Sequence, residues 1–113
     1  MVTFSKDNEI TVKTHMRDGN GDIILAKLLP ENPAHTRLFN VITINPGCSI
    51  GYHVHQNETE MFYFISGKGK VRDDDQEIEV TAGDAMSTGS GHGHGVECIG
   101  DEPLKILACI VLD

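Results

Sequence analysis

The most constraining feature of this chain is its punctuation. Short runs of alternating or apolar residues recur along its whole length, each bounded within a few residues by Gly, Pro, Asn or Asp. Ten can be marked: Glu9–Thr14, Ile23–Leu29, Leu38–Ile44, the segment around His53–His55, Glu60–Ile65, Lys70–Arg72, Glu77–Val80, Ala85–Thr88, His94–Ile99 and Leu104–Leu112. Between them stand turn formers such as Asp18-Gly19-Asn20-Gly21-Asp22, Asn45-Pro46-Gly47 and Asp73-Asp74-Asp75-Gln76. Gly and Asn tolerate positive φ, and Pro presets a turn. No segment keeps a 3.6-residue period over three turns. Many short strands at near-even spacing ask for an all-β sandwich or barrel. With 113 residues there is one core to build, and a single domain over 1–113 is expected.

Within this frame one stretch carries chemistry. His53 and His55 are separated by one residue in an extended segment. On a strand such residues share a face, with Cα atoms roughly 6.5–7 Å apart. Gln56-Asn57-Glu58-Thr59 reads as a turn, after which Glu60 opens the next strand on the same face as Phe62 and Phe64. A hairpin would return the Glu60 carboxylate toward the two imidazoles. Mixed N and O ligands of this kind suit a divalent transition metal. A fourth ligand is sought in the glycine-rich run Gly89-Ser90-Gly91-His92-Gly93-His94-Gly95.

These stretches resemble the cupin superfamily. The first fits the pattern G(x)5HxH(x)4E(x)6G at Gly47, His53, His55, Glu60 and Gly67. The second is similar to G(x)5PxGxxH(x)3N at Gly83, Gly91 and His94, with Gly89 in place of the proline and Cys98 in place of the asparagine. The resemblance covers residues 47–98 and implies a small single-domain cupin of the double-stranded β-helix (jelly-roll barrel) type. It also implies a metal held by His53, His55, Glu60 and His94. Iron, manganese, nickel, zinc, cobalt and copper all accept such ligands, so the metal stays open. Single-domain cupins are commonly dimers, and the apolar strands Ile23–Leu29 and Leu104–Leu112 could supply a homodimer interface.

Other residues receive plainer readings. Glu58 reads as solvated in its turn, and His15 and His35 as exposed. His92 reads first as a loop histidine; the mouth of the site and an alternative ligand are its other places. Tyr52 and Tyr63 have the opposite parity to the ligands and belong on the outer side of the sheet. Cys48 and Cys98 read as small core residues, and Asp73-Asp74-Asp75 as a solvated hairpin.

Composition narrows the functions. A formal charge of −8 would repel a phosphate backbone, so nucleic acid is excluded as a partner. No apolar run approaches the roughly 18–20 residues of a membrane span. Three cysteines without C-x-x-C spacing argue against a disulfide framework, and with no signal-peptide pattern the cytoplasm is the expected compartment. An ion held by three neutral imidazoles and one carboxylate carries a formal charge of about +1 and would keep positions for a small-molecule ligand or substrate. The leading reading is a metal-dependent enzyme acting on a compact oxygen-bearing metabolite, as a dioxygenase, isomerase or lyase. Its alternative is a metal-dependent binding or sensing module without turnover. No catalytic acid or base stands out to decide between them.

Overall fold

The computed structural model describes residues 1–113. Ten strands follow one another: β1 (Glu9–Thr14), β2 (Asp22–Lys27), β3 (Thr36–Ile44), β4 (Ser49–Val54), β5 (Glu58–Ser66), β6 (Lys68–Asp73), β7 (Gln76–Thr81), β8 (Ala85–Thr88), β9 (Gly93–Cys98) and β10 (Leu104–Leu112). Two single 3-10 turns, Ser5–Asp7 and Met16–Asp18, are the only helical pieces, and no helix is long and apolar enough to cross a membrane. The strands form two antiparallel sheets. One has the order β1-β2-β3-β10-β5-β8 and the other β4-β9-β6-β7. This is the jelly-roll arrangement that the cupin resemblance implies.

The core lies between the sheets, and alternation decides who enters it. Along one row of the larger sheet, Leu25, Ile42, Ile106 and Phe64 are cross-strand neighbours, and all four are buried. Ile50 of β4, Val71 of β6, and Val96 and Cys98 of β9 meet them from the smaller sheet. Each fully buried side chain of this size contributes about 1.5–3 kcal/mol. One residue along, the register Ile10–Ala26–Val41–Leu107–Tyr63–Ala85 crosses all six strands on the outer face. That face is also apolar, and Ile10 and Tyr63 on it are exposed.

Some boundaries differ from those read in the sequence. Lys68-Gly69 is strand rather than turn, because Gly69 pairs with Val80 on one side and Cys98 on the other. A Cβ there would come within 2.7 Å of Leu104 Cδ2, so the glycine makes room for a core leucine. Similarly β5 begins at Glu58, two residues before the expected start. The extra turn of pleat places Glu58 inside, on the face of Glu60, Phe62 and Phe64.

Two irregularities bear on the interior. In β4, Ile50 faces Val96 while His53 faces His94, so Gly51 and Tyr52 together oppose Gly95. Such an extra residue bends a strand and re-aims the side chains beyond it. Ile50 points inward, and after the bulge it is odd-numbered His53 and then His55 that do so. Gly51 is needed at this spot, since a Cβ would fall 1.8 Å from the carbonyl oxygen of Arg17. In β3, Leu38 faces Ile110 and Thr36 faces Val111, which leaves Arg37 unpaired between them.

Candidate metal centre

The inner face of β5 changes character along its length. Phe62 and Phe64 fill the apolar core, while Glu58 and Glu60 stand at the other end. Across from them the smaller sheet brings His53 of β4 beside His94 of β9 as register partners. His55 follows β4 by one residue and is held by two backbone bonds: its N–H donates to His92 O at 3.0 Å, and its carbonyl accepts from Gly91 N at 2.8 Å. The three rings pack edge-on with centroids 4.8–5.0 Å apart. Phe62 stacks on His94 at 4.9 Å and closes the apolar side.

His53, His55, Glu60 and His94 thus come together, and their potential ligand atoms all lie within 4.8 Å of one another. Glu60 Oε1 is 3.1 Å from His55 Nε2 and 2.9 Å from His94 Nε2, and the two Nε2 atoms are 3.1 Å apart. His55, Glu60 and His94 are buried, while His53 is half-buried at the rim. Burial disfavours the charged ring and pushes the His53 pKa down, despite the opposing pull of the Gly51 carbonyl.

The outer nitrogens show what the inner ones can do. His53 Nδ1 lies 2.9 Å from Gly51 O, and His55 Nδ1 lies 2.6 Å from Glu58 Oε2. A carbonyl and a carboxylate only accept, so both rings donate from Nδ1 and, when neutral, turn an Nε2 lone pair inward. His94 Nδ1 meets Thr88 Oγ1 at 2.7 Å, where the hydroxyl can take either role. With Thr88 accepting, three imidazole lone pairs and a carboxylate converge with no proton among them. Burying such a set alone costs a few kcal/mol. The donor chemistry therefore fits a divalent cation, with N and O atoms suited to iron, manganese, cobalt, nickel, copper or zinc.

Two side chains, Glu58 and Arg37, take places that the sequence did not indicate, while the others lie where it put them. Glu58, expected in solvent, is buried between His55 and Arg37, and Arg37 holds its carboxyl down at about 2, well below the usual carboxylate range. Its parity with Glu60 was a usable signal once β5 is begun two residues earlier. Arg37 had none, because its position depends on the β3 bulge. His92 stays outside the four-residue cluster; its Nδ1 pairs with Asp74 Oδ2 at 2.6 Å, and Asp74 Oδ1 also accepts from Gly93 N. The Asp73–Asp75 hairpin thereby anchors the start of β9. Tyr52 is exposed beneath the Arg72 guanidinium, 3.8 Å from its ring centroid. His15 and His35 are exposed, Cys98 is buried, and Cys48 packs against the core.

Known proteins share this fold. A family model described as Cupin domain matches residues 40–110. An oxalate-binding protein of Thermotoga maritima is 36% identical over 111 residues, covering 95% of this chain and 92% of the relative. The crystal structure of a predicted oxalate decarboxylase from Thermotoga maritima has a TM-score of 0.94 at 34% identity, covering 100% of both chains. The cupin domain of Schizosaccharomyces pombe Cnp3, at 14% identity and a TM-score of 0.74 over 93% of this chain and 70% of that one, shares the fold alone.

Proposed function

Since the chain belongs to the cupin domain family, we propose that it is a metal-dependent binder of small chelating anions, with oxalate-like dicarboxylates as the first class to test. The observation that carries this reading is the convergence of His53, His55, Glu60 and His94, with the outer nitrogens of His53 and His55 committed to acceptors. These four residues would hold the ion. When bound, it supplies local positive charge to a chelating oxyanion and polarises it. The chain's own part is to hold the lone pairs in place, to exclude water on the Phe62 side, and to leave the His53 rim as the way in. The oxalate-binding relative supports the choice of anion.

Binding is preferred to turnover because the ionisable groups bordering the cluster are engaged. Glu58 is tied to Arg37 and His55, and His92 to Asp74. A lyase reading has one support, the name of the similar Thermotoga structure. Calorimetry separates the two. Protein loaded with manganese, iron or zinc should bind oxalate, and metal-stripped protein should not. Release of formate and carbon dioxide would convert the binder into a decarboxylase. Loaded protein that gives no heat with oxalate or malonate would overturn the choice of ligand.

A homodimer is part of the proposal. The outer row from Ile10 to Ala85 supports it, with Ile10 58% and Tyr63 49% exposed on a face that a second copy could cover. Sedimentation should give twice the chain mass, and Tyr63→Asp should shift it toward the monomer. A monomer at all concentrations would remove the dimer and leave the metal reading standing.

A further inference from the structure

The ion pair beside the cluster is built in a way that adhesion between strands does not need. Glu58 presents both carboxylate oxygens to Arg37, with Nε to Oε1 and Nη2 to Oε2 each at 2.7 Å. A two-pronged contact of this kind fixes the plane of the carboxylate as well as its distance. The same Oε2 accepts from His55 Nδ1 at 2.6 Å. Strict alternation would set Arg37 outside with Phe39 and Val41. The β3 bulge at Arg37 instead lets it reach over the end of β10 to an inward carboxylate on β5. The Arg37 carbonyl is in turn held by Asn32 Nδ2 at 2.9 Å. β10 already pairs with both β3 and β5, so the pair is not required to join them.

We propose that Arg37 and Glu58 are positioning residues for the metal centre: Arg37 orients Glu58, and Glu58 holds the proton of His55 on Nδ1 so that Nε2 faces the ion as a lone pair. This rests on the cluster being a metal site. A carboxylate behind a ligating imidazole fixes its tautomer and ring plane and strengthens it as a donor, and losing such a partner lowers metal affinity about 10–100-fold. The device is local to His55, since His53 is backed by a backbone carbonyl and His94 by a hydroxyl.

The test uses the full chain with two readouts. Nitrogen-15 spectra of metal-free protein at about pH 8, where free histidines are neutral, report the His55 tautomer without reference to any metal. Competition titration with zinc reports affinity. Both are measured on wild type, on Glu58→Gln, and on Arg37→Leu/Glu58→Leu, which removes both charges and leaves neither buried alone. The expected result is Nδ1–H in wild type, loss of that preference in the double variant, and zinc affinity lowered about 10–100-fold there and less in Glu58→Gln. A folded double variant with wild-type tautomer and affinity would overturn the inference and reduce the pair to a structural contact. Should the double variant not fold, Glu58→Gln decides alone, with unchanged affinity counting against. If wild type takes up no zinc, the metal reading fails instead, and the tautomer spectra still decide whether Glu58 orients His55.

Discussion

Glu60 is the only charged member of the convergent set, so its replacement is the most telling at the scale of single residues. Glu60→Gln keeps the shape and raises the formal charge of a divalent site to about +2; it should weaken metal binding without unfolding the chain. His55→Ala and His94→Ala should each lose most of the metal, since either leaves the set incomplete. His92→Ala should keep it, because that ring is turned to Asp74. Elemental analysis of the four variants, prepared alike, checks this; metal lost from His92→Ala and kept by His94→Ala would reverse the assignment. Protons supply a second test. Ligating imidazoles must be neutral, so acid competes with the ion, and burial, which favours neutral His53, moves that competition to lower pH. A ring whose folded pKa is lowered adds stability above its unfolded value, about 6.5, that fades as pH falls through the lowered one. Metal should therefore leave as pH drops below about 6. The Arg37–Glu58 pair obeys a different window: its contribution is full above the unfolded carboxyl value of 4.5 and lost only toward about 2. Near pH 5 the protein should be metal-poor and still folded, by elemental analysis and circular dichroism on one sample. His53, His55 and Glu60 were legible because their spacing is a local property of strands, whereas His94 was set apart from His92 by the cupin resemblance. Arg37 was not, because a bulge is set by the fit between neighbouring strands and leaves no periodic trace.

β5 shows what an element can tell in advance. Its alternation of buried Glu58, Glu60, Phe62 and Phe64 with exposed Met61, Tyr63 and Ile65 is regular enough to assign both faces from sequence. Its start was misplaced because Asn57-Glu58-Thr59 has turn-like composition, whereas the turn itself is made by Asn57 in a left-handed conformation, φ 61°. The ladder then begins at once, with Glu58 paired to Leu112. β1, β8 and β10 have the bounds expected from the sequence. The same face assignment predicts energies. Phe64→Ala, in the fully buried centre, should cost about 3–5 kcal/mol in urea unfolding. Tyr63→Ala, next to it but facing out, should cost far less in the monomer. Equal losses at the two positions would contradict the two-faced reading of the strand.

At the scale of the whole molecule, an all-β sandwich or barrel was readable from the number and spacing of strands and the jelly roll from the cupin resemblance, but the pairing order was not. Nothing local in β10 says that it lies between β3 and β5. That order matters because the cluster spans the sandwich: His53 and His94 belong to the smaller sheet and Glu60 to the larger. A bound ion would tie the sheets together, so chelation should lower the melting temperature; binding to the native state alone adds about 2.7 kcal/mol at one hundred times Kd. There is a further consequence in time. His55 and His94 meet across 39 residues of chain, and no pair of neighbouring hairpins assembles all four groups. Such a site is completed late, after the costly long-range closure is behind it. The ion should then act on the exit from the native state and not on the entrance. In stopped-flow experiments, metal at one hundred times Kd should slow unfolding about a hundredfold and leave the refolding rate where it was. A refolding rate that climbs with metal would place the meeting of β4, β5 and β9 before the barrier. Persistence of the folded chain would in that case be governed by metal supply through both rates, and in the expected case through unfolding alone.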